Sequence, residues 1–233
     1  MNLKQKVQAE KFYFILGSIF IACLVSGNLI FQKFFSWDFF NSYTFELSVG
    51  ILPYPLTFLI TDLISEIYGR KRANLVVVSG LVATFFIFLL VLLADAVPAT
   101  DWSLVNDETF SSVFGLTGAA VTASMVAYLL AQFVDIRIYH YWKRKTNGKH
   151  LWLRNNFSTI TSQLVDTASV LLLLCAFGSI EWARFGDLLA NGFLYKLFIA
   201  LIDTPILYLL VYLAKRKFGL ANNEEIPFEG EEE

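Results

Sequence analysis

Cysteine is almost missing: Cys23 and Cys175 are the two, each inside an apolar run, so neither a disulfide framework nor a CxxC redox or metal motif can form. Histidine is as scarce. His140 and His150 fall among lysines and arginines, where a solvated or headgroup-facing ring is expected. The chain has no GxxxxGK[ST], no HExxH and no GxSxG, so it lacks the residues of a phosphate-binding loop, a zinc protease and a serine hydrolase elbow. No metal site and no cofactor are expected. Charged residues make up only 16%, with a net charge of -2, so a basic nucleic-acid-binding face is excluded. No stretch outside the loops is polar enough to form a soluble domain.

Apolar sequence takes the place of all these. Hydrophobic residues reach 56% and the mean hydropathy is +0.57, well off the profile of a soluble domain. Six runs are long enough to cross a hydrocarbon layer of about 30 Å, which takes roughly 20 helical residues. They lie at about 12–32, 46–68, 73–97, 113–136, 157–180 and 190–214. Continuous apolar runs lack the alternation of a membrane barrel, so an all-α integral membrane protein, a bundle of six transmembrane helices, is expected. The first run has no small-residue cleavage site and reads as a retained span.

Orientation follows from the basic residues. Lys4, Lys6 and Lys11, then Arg70–Arg72, then six between Arg137 and Arg154, then Lys215–Lys217 account for 15 of 18. These groups fall on alternate sides of a six-span chain, which puts both termini in the cytoplasm. The five tryptophans all fall in or beside connections, at headgroup level. The chain thus divides into a short cytoplasmic amino terminus (1–11), the membrane domain (12–216) and an acidic tail (217–233) expected to be disordered. Aligning PLTFLITD (55–62) with TITSQLVD (159–166) is compatible with a 3+3 inverted repeat.

Ionisable residues interrupt the spans. A carboxylate at the centre of a span costs about 2.5 to 3.5 kcal/mol on insertion scales, so each needs a partner, a proton or water. Asp62 and Glu66 are four residues apart and share a helical face; Gln163 and Asp166 are three apart; Asp203 lies mid-span with Lys196 two turns before it. Gln132 and Asp135 repeat the three-residue spacing, though Asp135 next to Arg137 reads as an end-of-helix charge. Glu66 is placed to reach the cytoplasm or pair with Arg70. Any one of these could be interhelical glue, but together they exceed what packing requires and suggest a shared polar cavity. Gly115, Ala119, Ala123, Ala127 and Ala131 recur every fourth residue and read as a packing ridge. Pro53 and Pro55 interrupt the second span near its outer end.

Three segments carry a family resemblance: PLTFLITDLISEIYGRKRA (55–73), LRNNFSTITSQLVDT (153–167) and YKLFIALIDTPILYL (195–209). Together with SGNLIFQKFF in the first span, they are similar to the YhhQ-type queuosine precursor transporters, a vitamin-uptake-transporter-like family. The resemblance implies an inner-membrane protein that imports deazaguanine bases, with a nucleobase-like solute and the lipid bilayer as its partners. A secondary transporter is the expected mode, and a homo-oligomer is compatible with it. The alternatives are the substrate-binding subunit of an ATP-driven vitamin uptake complex and an intramembrane enzyme using paired aspartates. The expected substrate site is Asp62, Glu66, Gln163, Asp166, Lys196 and Asp203, supported by Asn28, Lys33, Asn156, Ser158 and Thr159.

Overall fold

A computed structural model describes residues 3–30, 33–39, 43–115, 118–176, 181–221 and 224–226. Residues 31–32, 116–117 and 177–180 of the expected spans, and 222–223 and 227–233 of the tail, lie outside that set. The described helices are α1 (Leu3–Ile30), α2 (Tyr54–Ile67), α3 (Gly69–Asp95), α4 (Asp107–Phe114), α5 (Gly118–Lys145), α6 (Leu151–Ala176) and α7 (Phe185–Phe218). Strands β1 (Phe34–Phe39) and β2 (Tyr43–Ser48) pair as an antiparallel hairpin between α1 and α2. The chain is a helical membrane protein. Leu3–Ile30, Val49–Ile67, Gly69–Asp95 and Trp182–Phe218 each have the length and apolarity to cross a bilayer. At 28 and 26 residues, α5 and α6 are long enough but less apolar, because each turns a polar face into the bundle.

Seven helices appear among the described residues where six spans were expected. The addition is α4, an eight-residue helix in the acidic connection. Its start is fixed by Asn106, whose side chain accepts from the Thr109 amide at 2.8 Å, and by Asp107 and Glu108 in the first turn. Gly115 terminates this helix, so it does not belong to the ridge expected on α5. Ala127 and Ala131 of that ridge are buried.

The second expected span also starts later. Residues 46–48 belong to β2, and a 3₁₀ turn (Val49–Ile51) leads into α2. Pro53 is the residue before the helix and Pro55 its second position, so the prolines begin α2 rather than bend it. A missing amide costs nothing there, because the first-turn amides have no helical acceptor. With 14 residues, α2 is about 21 Å long, short of the hydrocarbon thickness.

A helix that short must be covered by others. It packs against α1, α3, α5 and α7, and every residue from Thr57 to Ile67 is buried. α5 and α6 form the most extensive helix pair, and α6 continues onto α7. α1 and α3 approach closely at Gly80, where an added Cβ would fall 2.7 Å from the Phe20 ring. Outward faces carry Phe85, Phe86, Leu93, Leu201 and Leu209, all exposed as lipid-facing side chains would be. Charged and amide groups lie inside, the reverse of a soluble protein.

The α2–α3 junction is a single tight reversal. Tyr68 ends one helix and begins the next, and Gly69 adopts a left-handed φ of 79°. After α7 closes at left-handed Gly219, the chain returns to this junction. There the Ile226 amide donates to the Ile67 carbonyl at 2.8 Å, the Ile226 side chain is buried, and the Glu225 carboxylate bonds Lys143 at 2.8 Å.

Candidate functional site

The site is organised by the period of α2. Tyr54, Phe58, Asp62 and Glu66 recur every four residues and lie on one face, spread over about 18 Å of axis. Tyr128, Gln132, Asp135, Tyr139 and Lys143 form the matching stripe on α5, which runs in the same direction. Arg154, Ser158, Ser162 and Asp166 form it on α6, which runs in the opposite one. Contacts between these stripes fall at three levels.

At the level remote from the basic ends, Asp166 is the focus. Its Oδ2 accepts from Tyr54 Oη at 2.5 Å and from Lys196 Nζ at 2.7 Å. Lys196 also donates to Thr167 Oγ1 at 2.9 Å and lies 4.6 Å from the centre of the Tyr54 ring. Both carboxylate contacts use the same oxygen, which leaves Oδ1 to a cavity of about 150 Å³. Asn28, Tyr54, Thr57, Met125, Tyr128 and Asp166 help to line it. Tyr54, Phe58 and Tyr128 pack as a tilted and edge-on trio, with centroids 5.2 to 6.5 Å apart, and Tyr54 and Tyr128 of this trio line the cavity. Behind Tyr54 a smaller pocket is lined by Phe58, Thr159, Gln163, Lys196 and Asp203. Gln163 is buried with Oε1 unpartnered among the described residues.

At the middle level, Asp62 and Asp135 face each other, bracketed by the 3.5 Å contact of Thr61 with Gln132 on one side and the 3.1 Å bond of Tyr139 with Glu66 on the other. Both are essentially without exposure, and Ser162 Oγ donates to Asp135 Oδ1 at 3.0 Å. The expectation that Asp135 is an end-of-helix charge fails because Arg137, two residues on, points to the opposite side of α5 and is exposed. Gln132 joins this level to the one above, donating to Tyr128 Oη at 2.5 Å.

At the basic end, Glu66 accepts from three cations on three helices. Arg154 Nη2 lies 2.6 Å from Oε2, Lys215 Nζ 2.6 Å from Oε1 and Lys143 Nζ 3.3 Å from Oε2, with Tyr139 Oη donating at 3.1 Å. Glu66 is 1% exposed and neither reaches solvent nor pairs with Arg70, which is itself exposed. Four helices meet on one carboxylate. That is a fastening role, away from the cavity. His140, expected to be solvated, is buried beside this cluster, whereas His150 is exposed.

Of the residues expected to form one site, Gln163, Asp166, Lys196, Asp203, Asn28 and Thr159 line the cavity or the adjoining pocket. Asp62 lies one level below and Glu66 two. Ser158 is buried and donates to the Asn155 carbonyl at 3.1 Å. Asn156 bonds Thr204 and the Trp152 carbonyl, tying α6 to α7. Lys33 is exposed at the foot of the hairpin, outside the cavity. Sequence reasoning did not single out Tyr54, Tyr128 or the cations around Glu66. The phase of the stripes was available for both tyrosines. Lys143, Arg154 and Lys215 were absorbed into the topology argument, which uses charge without asking where it points.

Residues 48–210 match the family described as "Putative vitamin uptake transporter". A Bacillus subtilis (strain 168) protein named "Probable queuosine precursor transporter" is 28% identical over 167 residues, covering 69% of this chain and 70% of its own. A Haemophilus influenzae protein of the same name is 26% identical over 196 residues, covering 80% and 78%. No solved structure matches.

Proposed function

The chain belongs to the vitamin uptake transporter family, multi-pass transporters of the cell membrane, and we propose that it imports deazaguanine bases, the queuosine precursors, as a secondary transporter. The observation that carries this reading is the meeting of Asp166 with Tyr54 and Tyr128 in one cavity. A guanine-like edge offers adjacent N–H donors, and a carboxylate with one oxygen held by Lys196 and Tyr54 keeps the other for them. Tyr54 and Tyr128 bound the cavity where the base would stack. Gln163, able to donate and accept, and Asp203, able to pair with an aminomethyl cation on the base, wait in the adjoining pocket. Names of relatives at 26 to 28% identity support the substrate class, and the cavity supplies the chemistry.

Six spans, with the basic end and both termini in the cytoplasm, complete the proposal. The cavity then lies toward the outer face, and the solute passes the Asp62 level and the Glu66 cluster on its way in. Uptake is measured in cells unable to make the precursor. Asp166→Asn and Asp203→Asn, expressed at wild-type level, should reduce it. A lost charge-assisted hydrogen bond of about 1.5 to 3 kcal/mol corresponds to roughly 10- to 150-fold weaker binding. Full-rate uptake by both variants would remove the site assignment.

A further inference from the structure

We infer that the facing carboxyls of Asp62 and Asp135 form a proton-binding site, distinct from the solute cavity, whose proton is carried with the solute. The inference rests on the importer reading and adds the coupling ion to it. Two carboxylates in contact and out of water cannot both be ionised, and one proton held between them removes the repulsion while making the hydrogen bond that joins them. Among the described residues neither forms an ion pair with a cation: Lys196 is held by Asp166, and Arg154, Lys143 and Lys215 are held by Glu66.

Each element around the pair contributes to this balance. From α5 come Asp135 itself and Tyr139, from α7 Asp203, from α6 Arg154, and from α2 Glu66 one turn on. The Ser162 hydroxyl, also from α6, donates to Asp135. Of the charged residues on α1 and α3, Glu10 and the buried Arg72 bond each other in bidentate fashion at 2.7 and 2.9 Å. Asp62 Oδ1 and Asp135 Oδ2 have no partner among the described residues. Nor has the Ser65 Oγ, fully buried one turn along α2 from Asp62. A second acceptor and a hydroxyl left open beside a carboxyl pair give a proton a place to enter and leave.

Position makes the pair a coupling device. Asp62 stands two turns below Tyr54 on the same rigid face, and Gln132 links its level to Tyr128 in the cavity wall. Movement of α2 that follows loss of the solute therefore reaches the carboxyl pair.

The test uses the full chain in proteoliposomes with a labelled deazaguanine base. Wild type should accumulate the base under an imposed pH gradient, alkaline inside, and a protonophore should abolish accumulation. Asp135→Asn should retain exchange of internal for external base and lose gradient-driven accumulation, ending at the external concentration. Infrared difference spectra of purified protein at acid and alkaline pH, with no solute present, should show a protonated carboxyl band that Asp62→Asn and Asp135→Asn each remove. That band reads the proton independently of the importer reading, so a wild type that shows the band but exchanges no base refutes only the substrate. Protonophore-insensitive accumulation, accumulation driven by a sodium gradient instead, an unchanged band in both variants, or loss of exchange along with accumulation would each overturn the inference.

Discussion

Replacing Glu66 by Gln isolates the fastening cluster. The wild-type carboxylate is surrounded by Arg154, Lys143 and Lys215, and Glu225 adds a second negative charge through Lys143. Three positive charges against two negative leave the cluster at +1; the amide leaves it at +2 with Arg154 still buried. Removing one partner of a buried pair costs about 3 to 5 kcal/mol, because the remaining charge stays desolvated. Glu66→Gln should therefore lose about that much stability in detergent-solubilised protein, read from thermal or denaturant unfolding. Glu225→Gln should lose no more than about 1 kcal/mol, since that side chain is 39% exposed and its pair is screened. Adding Arg154→Gln to Glu66→Gln should recover part of the loss, because the stranded cation goes with it. A Glu66→Gln loss no larger than that of Glu225→Gln would refute the reasoning, and would mean that water reaches the cluster freely.

Two further outcomes follow from the geometry. Lys196→Met strands Asp166 at 8% exposure and should abolish uptake; in thermal unfolding, the double variant with Asp166→Asn should be more stable than Lys196→Met alone, and independent effects of the two changes would contradict the pairing. Gly69→Ala puts an L side chain at φ 79° and a Cβ 2.2 Å from the Glu225 carboxylate, so it should cost about 1 to 2 kcal/mol and expose residues 224–226 to protease, whereas unchanged cleavage would dissociate the junction from that segment.

The apolar runs and the alternation of basic clusters made a helical membrane protein legible, because lipid imposes both patterns on sequence directly. The hairpin was not legible: residues 46–48 look like the start of a span, and Pro53 and Pro55 decide where helix begins only once the strand pairing is known. Asp166 and Lys196 were expected in one site, and the structure brings them to 2.7 Å, but their partner Tyr54 is one of ten tyrosines, and only its phase, two turns before Asp62 on the same face, marks it. Asp135 was misread because a neighbour in sequence was taken as a neighbour in space. Glu66 was grouped with the solute residues by its spacing from Asp62, and four residues of helix are enough to carry it about 6 Å deeper.

The short central helix has a mechanical consequence. Tyr54, Asp62 and Glu66 meet Asp166, Asp135 and Arg154 along one straight edge, like three teeth of a key in three wards. A slide of α2 by two residues is about 3 Å, which stretches a 2.6 Å contact lying across the axis to about 4 Å, beyond hydrogen-bonding distance. It would disengage all three teeth together. Any second conformation of this protein must therefore either carry α5 and α6 along with α2 as one body or withdraw the whole key at once.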